Sequence, residues 1–186
     1  SRNFRYPSFN DLYWKPGGNQ YLEPESGYNQ EVSIKWASTI SAFKPEILFS
    51  VYNSNIYNRI MWLPEGSVWT AGNWSEVWSR GAECNFFSRF KISENLSLNI
   101  RLSGNYNKAT GETANTSTND SDGKQLIYTP LYSANSSFSL LFKKLNFNWY
   151  YHISGKRYTS SDNTSFLEPF NYSAISISKS IKYKIL

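Results

Sequence analysis

Leu145-Asn146-Phe147-Asn148-Trp149-Tyr150-Tyr151-His152-Ile153-Ser154 decides the fold. Leu145, Phe147, Trp149, Tyr151 and Ile153 alternate with Asn146, Asn148, His152 and Ser154. A period of two puts successive side chains on opposite faces of an extended backbone, which is the pattern of a β-strand with one apolar and one polar face. Leu96, Leu98, Ile100 and Leu102 alternate in the same way with Asn95, Ser97, Asn99, Arg101 and Ser103. Cys84, Phe86, Phe90 and Ile92 share one face of a third such run, and Glu83, Asn85 and Arg89 share the other.

Working outward, further strands are expected at roughly 30–41, 46–60, 129–143 and 170–182, and the tail from Lys182 can begin another. Short turns are expected at Ala42 to Pro45, at Ser93-Glu94-Asn95 and at Lys143-Lys144. Longer connections are expected from Leu63 to Trp74, from Lys108 to Gln125 and from Thr159 to Pro169. In a meander alternate connections lie at the same end, so all the long loops fall on one rim and all the short turns on the other. The fold class is all-β, an antiparallel meander of about 7–8 long strands. That asymmetry matches bacterial outer-membrane barrels, with their short periplasmic turns and longer outer loops. Alternation itself fits a soluble sandwich equally well, because only the direction of the apolar face differs.

Composition agrees with strands. Of 186 residues, 18% are aromatic, including seven Trp and fourteen Tyr, and good helix formers are sparse. The net charge of +5 does not point to nucleic acid, because the basic residues are scattered singly and form no run that could track a phosphate backbone. One cysteine, Cys84, leaves no internal disulfide and no Cys-rich zinc site. No stretch is long and apolar enough for a transmembrane helix, which leaves a strand-built membrane protein open. The chain opens on Ser1-Arg2-Asn3-Phe4 without a signal peptide and reads as a piece of a longer protein.

The stretch Phe4-Arg5-Tyr6-Pro7-Ser8-Phe9-Asn10-Asp11-Leu12-Tyr13-Trp14, followed by Gly18-Asn19 and Leu22-Glu23-Pro24-Glu25, resembles a signature of the TonB-dependent outer-membrane receptors. That signature reads F-R-x-P-T-F-x-D-L-Y and then G-N-P-x-L-K-P-E. Ser8, Gln20 and Glu23 depart from it, at Thr, Pro and Lys respectively. Tyr57-Asn58-Arg59-Ile60-Met61-Trp62-Leu63-Pro64 and Arg80-Gly81-Ala82-Glu83 resemble the hairpin that follows. The flavour is that of the cobalamin- and siderophore-receptor branch. The resemblance implies a segment of a 22-stranded transmembrane β-barrel, residues 1–186 being a partial barrel domain. It also implies a plug and TonB as the energy-coupling partner, both through a part of the protein that these residues do not contain. Outer-membrane lipid, lipopolysaccharide and a small-molecule substrate such as a siderophore or cobalamin are the further partners it implies, in the outer membrane of a Gram-negative bacterium.

No catalytic constellation is found, and no cofactor or metal is expected. His152, the only histidine, lies on a polar strand face, and Cys84 lies on an apolar one. Asp120-Ser121-Asp122-Gly123 shares part of a calcium-loop pattern, but the positions for its end carboxylates hold Thr118 and Thr129. Glu23 and Glu25 flank Pro24 and read as a determinant of loop conformation, not as an acid pair. The Asn-x-Ser/Thr sequons carry no glycan meaning in a bacterial protein. The substrate-binding candidates are the loop aromatics Tyr13, Trp14, Trp62, Trp69 and Trp74, whose flat faces suit stacking on sugars, corrins or catecholates. The same residues also fit an interfacial aromatic girdle. The competing function is a soluble all-β carbohydrate-binding module, with a surface or adhesion domain behind it.

Overall fold

A computed structural model describes residues 1–39, 43–113 and 122–181, without the side chains of Trp74, Ser75 and Thr113. In chain order the elements are β1 (Arg2–Arg5), α1 (Phe9–Tyr13), β2 (Glu25–Ala37), β3 (Phe43–Glu65) and β4 (Val68–Ser93). They continue as β5 (Leu96–Thr113), β6 (Tyr132–Phe142), β7 (Leu145–Ser154), β8 (Arg157–Tyr158), β9 (Phe166–Leu167) and β10 (Phe170–Lys179). Eight strands form one antiparallel sheet in the order β1-β2-β3-β4-β5-β6-β7-β10, and β8–β9 is a small separate hairpin inside the last connection. The tail from Lys182 and the calcium-loop-like positions Thr118, Asp120 and Ser121 lie outside the described residues.

Register turns the alternation into two continuous faces. Phe49 pairs with Cys84, Cys84 with Gly104, and Gly104 with Ala134, so odd and even positions stay in phase from strand to strand. One face carries Ile34, Phe49, Phe86, Leu102, Phe138, Trp149 and Ile175. The other carries Ser33, Ser50, Glu83, Asn105, Asn135, His152 and Tyr172. Hydroxyls and amides on the polar face bond to one another across strands: Ser33 with Ser50 at 2.8 Å, and Asn148 Nδ2 donating to Ser176 Oγ at 3.3 Å. Aromatic pairs do the corresponding work on the apolar face, Phe43 with Phe90 and Phe138 with Trp149.

Three expectations change. Of the turn expected from Ala42 to Pro45, Ala42 lies outside the described residues and Phe43 to Pro45 already belong to β3, opposite Phe90 to Ser88. The connection from Leu63 to Trp74 is not a loop. β3 and β4 run on as a ladder to Glu65 opposite Val68, closed by Gly66-Ser67. Gly66 at φ +63° supplies the left-handed backbone of a two-residue hairpin turn. The opening stretch likewise contains a short helix and a short strand. Ser8 caps α1, its hydroxyl accepting from Asp11 N–H while Asp11 accepts from Ser8 N–H. At the other rim, two-residue turns close β4–β5 and β6–β7, as the sequence predicts, with Lys143 at φ +52°.

Hydrophobic burial is concentrated at the long-connection end. Val77, Ala109 and Leu126 form one small core, and Leu22, Ile60 and Ala71 form another. The apolar face of the sheet contributes to neither, and Ile34 and Ile177 on it are 67% and 71% exposed. Gly81 is fixed by a close approach. A Cβ there would run into the Tyr106 carbonyl oxygen and come within 2.5 Å of the Tyr52 hydroxyl, because the Tyr52 ring lies over it. Gly81→Ala therefore lowers stability by about 1–3 kcal/mol, read as an earlier midpoint in denaturant unfolding of the folded protein.

Candidate functional site

Above the rest of the sheet, the β3–β4 hairpin extends beyond its neighbours, since β2 reaches only as far as Tyr57 of β3 and β5 only as far as Glu76 of β4. Alternating residues of this extension face two different coverings. Ile60 and Ala71 meet Leu12 and Leu22 of the opening segment, together with Trp62. Met61 and Leu63 instead pack against the core of Val77, Ala109 and Leu126. Burying a side chain such as Leu22 contributes about 1.5–3 kcal/mol, so residues 8–24 are a strap bound to the hairpin and not a free loop.

Polar contacts set the strap's path. Ala71 N–H donates to the Gly17 carbonyl at 2.8 Å, at a point where a Cβ on Gly17 would strike the Trp69 carbonyl and crowd the Trp62 ring. Glu23 N–H donates to Asn73 Oδ1 at 2.8 Å, and Asn73 Nδ2 donates to the carbonyls of Glu23 and Asn58 at 3.0 and 2.6 Å. Asn58 Nδ2 donates to Glu23 Oε2 at 2.8 Å, across the point where Asn58 takes φ +53°. Glu25 accepts from Ile60 N–H at 2.7 Å and pairs with Arg5 at 3.0 Å. Both glutamates therefore act on loop conformation, as their flanking of Pro24 predicts. Arg59 lies beside them: burial, with the nearby Arg5 charge, pulls its guanidinium pKa below the ordinary value by more than the Glu25 charge raises it.

Asp11 is the centre of this arrangement. It is buried, and its carboxylate accepts from Ser8 N–H at 2.9 Å, the Ser8 hydroxyl at 2.7 Å and the Trp62 indole N–H at 3.0 Å. Burial raises its pKa, but the Ser8 and Trp62 hydrogen bonds and the Arg5 charge outweigh it, leaving the carboxyl below its ordinary value.

The aromatic candidates separate into different roles. Tyr13 ends α1, its ring 5.6 Å from Phe9, and Trp14 caps the helix; both are exposed. Trp62 lies on strand β3 under the strap, half-buried and bonded to Asp11, so it holds the strap in place. Trp69 lies on β4 with its ring 6.2 Å from Tyr128 of the following connection. Trp74 is on β4 with its backbone opposite Arg59, and its side chain lies outside the described ones. The structure thus leaves Tyr13 and Trp14 exposed on the strap and sets Trp62 beneath it, at Asp11 and Gly17.

Phe9, whose ring lies beside Tyr13, is 83% exposed, and Tyr21 further along the strap is 92% exposed, yet their sequence positions give no separate signal. Ser8-x-x-Asp11, by contrast, is a readable capping box. On the hairpin's other side, Gln125 is a second organiser. Its side chain accepts from Ala109 N–H at 3.1 Å and donates to the carbonyls of Asn107 and Thr129, and its backbone exchanges hydrogen bonds with the Asn163 amide.

The TonB dependent receptor-like β-barrel model matches residues 1–183. This chain belongs to the TonB-dependent receptor β-barrel family. The vitamin B12 transporter BtuB of Vibrio vulnificus (strain YJ016) is 36% identical over 84 residues, which are 43% of this chain and 13% of that protein. Among solved structures, the copper transporter OprC superposes with a TM-score of 0.68 at 13% identity, over 97% of this chain and 28% of OprC. The ferric yersiniabactin uptake receptor FyuA from Yersinia pestis superposes with a TM-score of 0.58 at 13% identity, over 84% of this chain and 22% of that one. The chain spans about a quarter of the length of those barrels, and at that identity the likeness is one of fold. The all-β meander is accordingly a segment of a TonB-dependent receptor barrel, and its relatives are transporters and receptors.

The strap's stability follows the Asp11 carboxylate. A depressed folded pKa means that its contribution is fully present above the unfolded value near 3.9 and is lost as pH falls through the folded value below it. Limited proteolysis within residues 8–24 therefore accelerates only in strong acid. Asp11→Asn accelerates it at neutral pH, through loss of about 1–3 kcal/mol, and abolishes the acid step.

Proposed function

We propose that this chain forms part of the wall and outer rim of an outer-membrane TonB-dependent transporter that takes up a scarce nutrient: a ferric siderophore, haem or cobalamin. The observation that carries the reading is the open apolar face. From Leu96 to Tyr106 it runs about 33 Å along the strand, which at a barrel tilt near 40° spans about 25 Å of membrane. Phe49, Leu140, Phe147 and Ile175 on that face are exposed, and among the described residues no second sheet covers them. A soluble binding module would bury them in a closed core, so the carbohydrate-module reading loses its main support.

On this reading lipid and lipopolysaccharide cover the apolar face, the polar face lines the lumen, and the long hairpin with its strap stands outside the membrane. Exposed Tyr13 and Trp14 capture substrate at the rim, while Trp62 and Trp69 hold the surface that presents them. Substrate then passes inward as a plug, carried elsewhere in the protein, rearranges under the action of TonB. The protein moves its substrate without covalent chemistry.

The full-length gene product is expected in the outer-membrane fraction with heat-modifiable mobility; recovery in the soluble fraction without a mobility shift overturns the proposal. Direction of facing has its own test. Ile100→Arg near mid-band lowers barrel stability in a bilayer by about 2–4 kcal/mol, and Asn99→Arg on the opposite face, which gives up the hydrogen bond from Arg89, lowers it by about 1 kcal/mol or less. Equal effects exclude a lipid-facing apolar side. Tyr13→Ala and Trp14→Ala each remove a stacking face worth about 0.5–1.5 kcal/mol, raising the half-saturating substrate concentration about 2–10-fold with uptake at saturation unchanged.

A further inference from the structure

The apolar face of the sheet is hollowed at one place by small side chains. Cys84, Gly104 and Ala134 lie side by side in register on β4, β5 and β6. Phe86, Leu102 and Tyr151 stand one row nearer the short turns, and Tyr106 opposite Tyr132 stands one row nearer the long connections. The small residues floor an open, mostly apolar groove of about 420 Å³. A Cβ on Gly104 would meet nothing within 4 Å, so among the described residues no part of the chain fills the space above it. Sites that take one small molecule run to roughly 300–1,000 Å³, which gives this groove room for an acyl chain.

Its place on the strand says which part of a membrane it meets. Gly104 lies eight residues along β5 from Leu96. That is about 26 Å of strand and, at a tilt near 40°, about 20 Å of membrane, in the half of the apolar band on the long-connection side. Tyr106 and Tyr132 are both exposed, and amphipathic rings of this kind settle where hydrocarbon gives way to water. One row further on the face turns polar, with Gln30, Asn53, Arg80 and Lys108 in register.

That polar row sets two cations directly opposite each other, Arg80 and Lys108, an arrangement that costs a sheet stability when nothing balances it. Arg80 lies flat on the Trp78 ring, 3.5 Å from its centroid, and its Nη1 donates to Thr110 Oγ1 at 2.9 Å and to the Trp78 carbonyl at 3.2 Å. Glu112 answers this one cation, 3.9 Å from the same nitrogen. Glu76 is held by the Asn55 amide at 2.8 Å and lies four positions along β4 from Arg80, about 13 Å of strand, too far to balance Lys108. Lys108 is exposed and has no ion pair or side-chain hydrogen bond among the described residues. Four residues, again about 13 Å, separate it from Gly104 on the same face. An anion at the head of an acyl chain meets both requirements: the chain fills the groove while phosphate oxygens lie against Lys108 and Arg80.

Resting on the outer-membrane reading, we propose that the Cys84-Gly104-Ala134 groove and the Arg80–Lys108 pair bind one phosphorylated, acylated glycolipid of the outer leaflet, the lipid A end of lipopolysaccharide. The full-length protein, extracted in mild detergent and stripped of lipid, is titrated with a bis-phosphorylated lipid A, with its dephosphorylated form and with phosphatidylglycerol, and retained lipid is counted by native mass spectrometry. Lipid A is expected to be retained at least about 5-fold more tightly than either other lipid. Gly104→Leu, which fills the groove, and Lys108→Gln are each expected to weaken retention of one lipid A about 5–20-fold, with heat-modifiable mobility kept as evidence of folding. Lys143→Gln at the short-turn rim is expected to change it less than about twofold. Unchanged retention in both groove variants, an equal loss in Lys143→Gln, or equal affinity for the dephosphorylated form or for phosphatidylglycerol overturns the site. A dimer that Gly104→Leu abolishes, with no lipid retained, makes a second copy of this chain the occupant and overturns it as well. Outer-membrane location without any retained lipid A sinks the lipid site and leaves the transporter standing; recovery in the soluble fraction sinks the transporter itself.

Discussion

Antiparallel pairing of β3 with β4 is the constraint on which the rest depends. It runs unbroken in direction from Phe43 opposite Phe90 to Glu65 opposite Val68, and the two halves of that ladder meet different surroundings. Below Tyr57 it is flanked by β2 and β5 and becomes part of a continuous wall. Above it, both faces would be bare, and two short segments from distant parts of the chain close on them. Every stable apolar cluster among the described residues forms there, because only there do elements lie on top of one another instead of side by side.

This division explains why one chain carries both a wide exposed apolar face and small, well-packed cores. A wall one sheet thick cannot bury its own apolar side chains; its backbone is satisfied by neighbouring strands, and its apolar face is left for another medium. The hairpin extension instead packs both of its faces against other segments, in the way a water-soluble protein does. Asp11 illustrates the cost. Its charge is buried under the strap only because hydrogen bonds from Ser8 and Trp62 and the charge of Arg5 offset the loss of water.

The polar face has its own logic. Cross-strand Ser and Asn pairs tie up most of its hydroxyls and amides, Ser33 with Ser50, Asn135 with Ser103 and Asn148 with Ser176 among them.

Alternation from Leu96 and from Leu145, with short turns at Glu94-Asn95 and Lys143-Lys144, was legible by itself: a period of two and a two-residue turn are local properties of extended backbone. So was the family, through the stretch from Phe4 to Glu25. Residues 63–74 were not legible, because Pro64, Gly66 and Gly72 look like a loop until the pairing of Met61 with Gly72 shows them to be hairpin. Nor was the role of Trp62: its place under the strap depends on Asp11, fifty-one positions away in sequence. What the sequence alone determined was strands, faces and lineage. Tertiary structure alone decided which aromatics are free to meet a ligand and which are held, since that depends on which distant segment happens to cover each side chain.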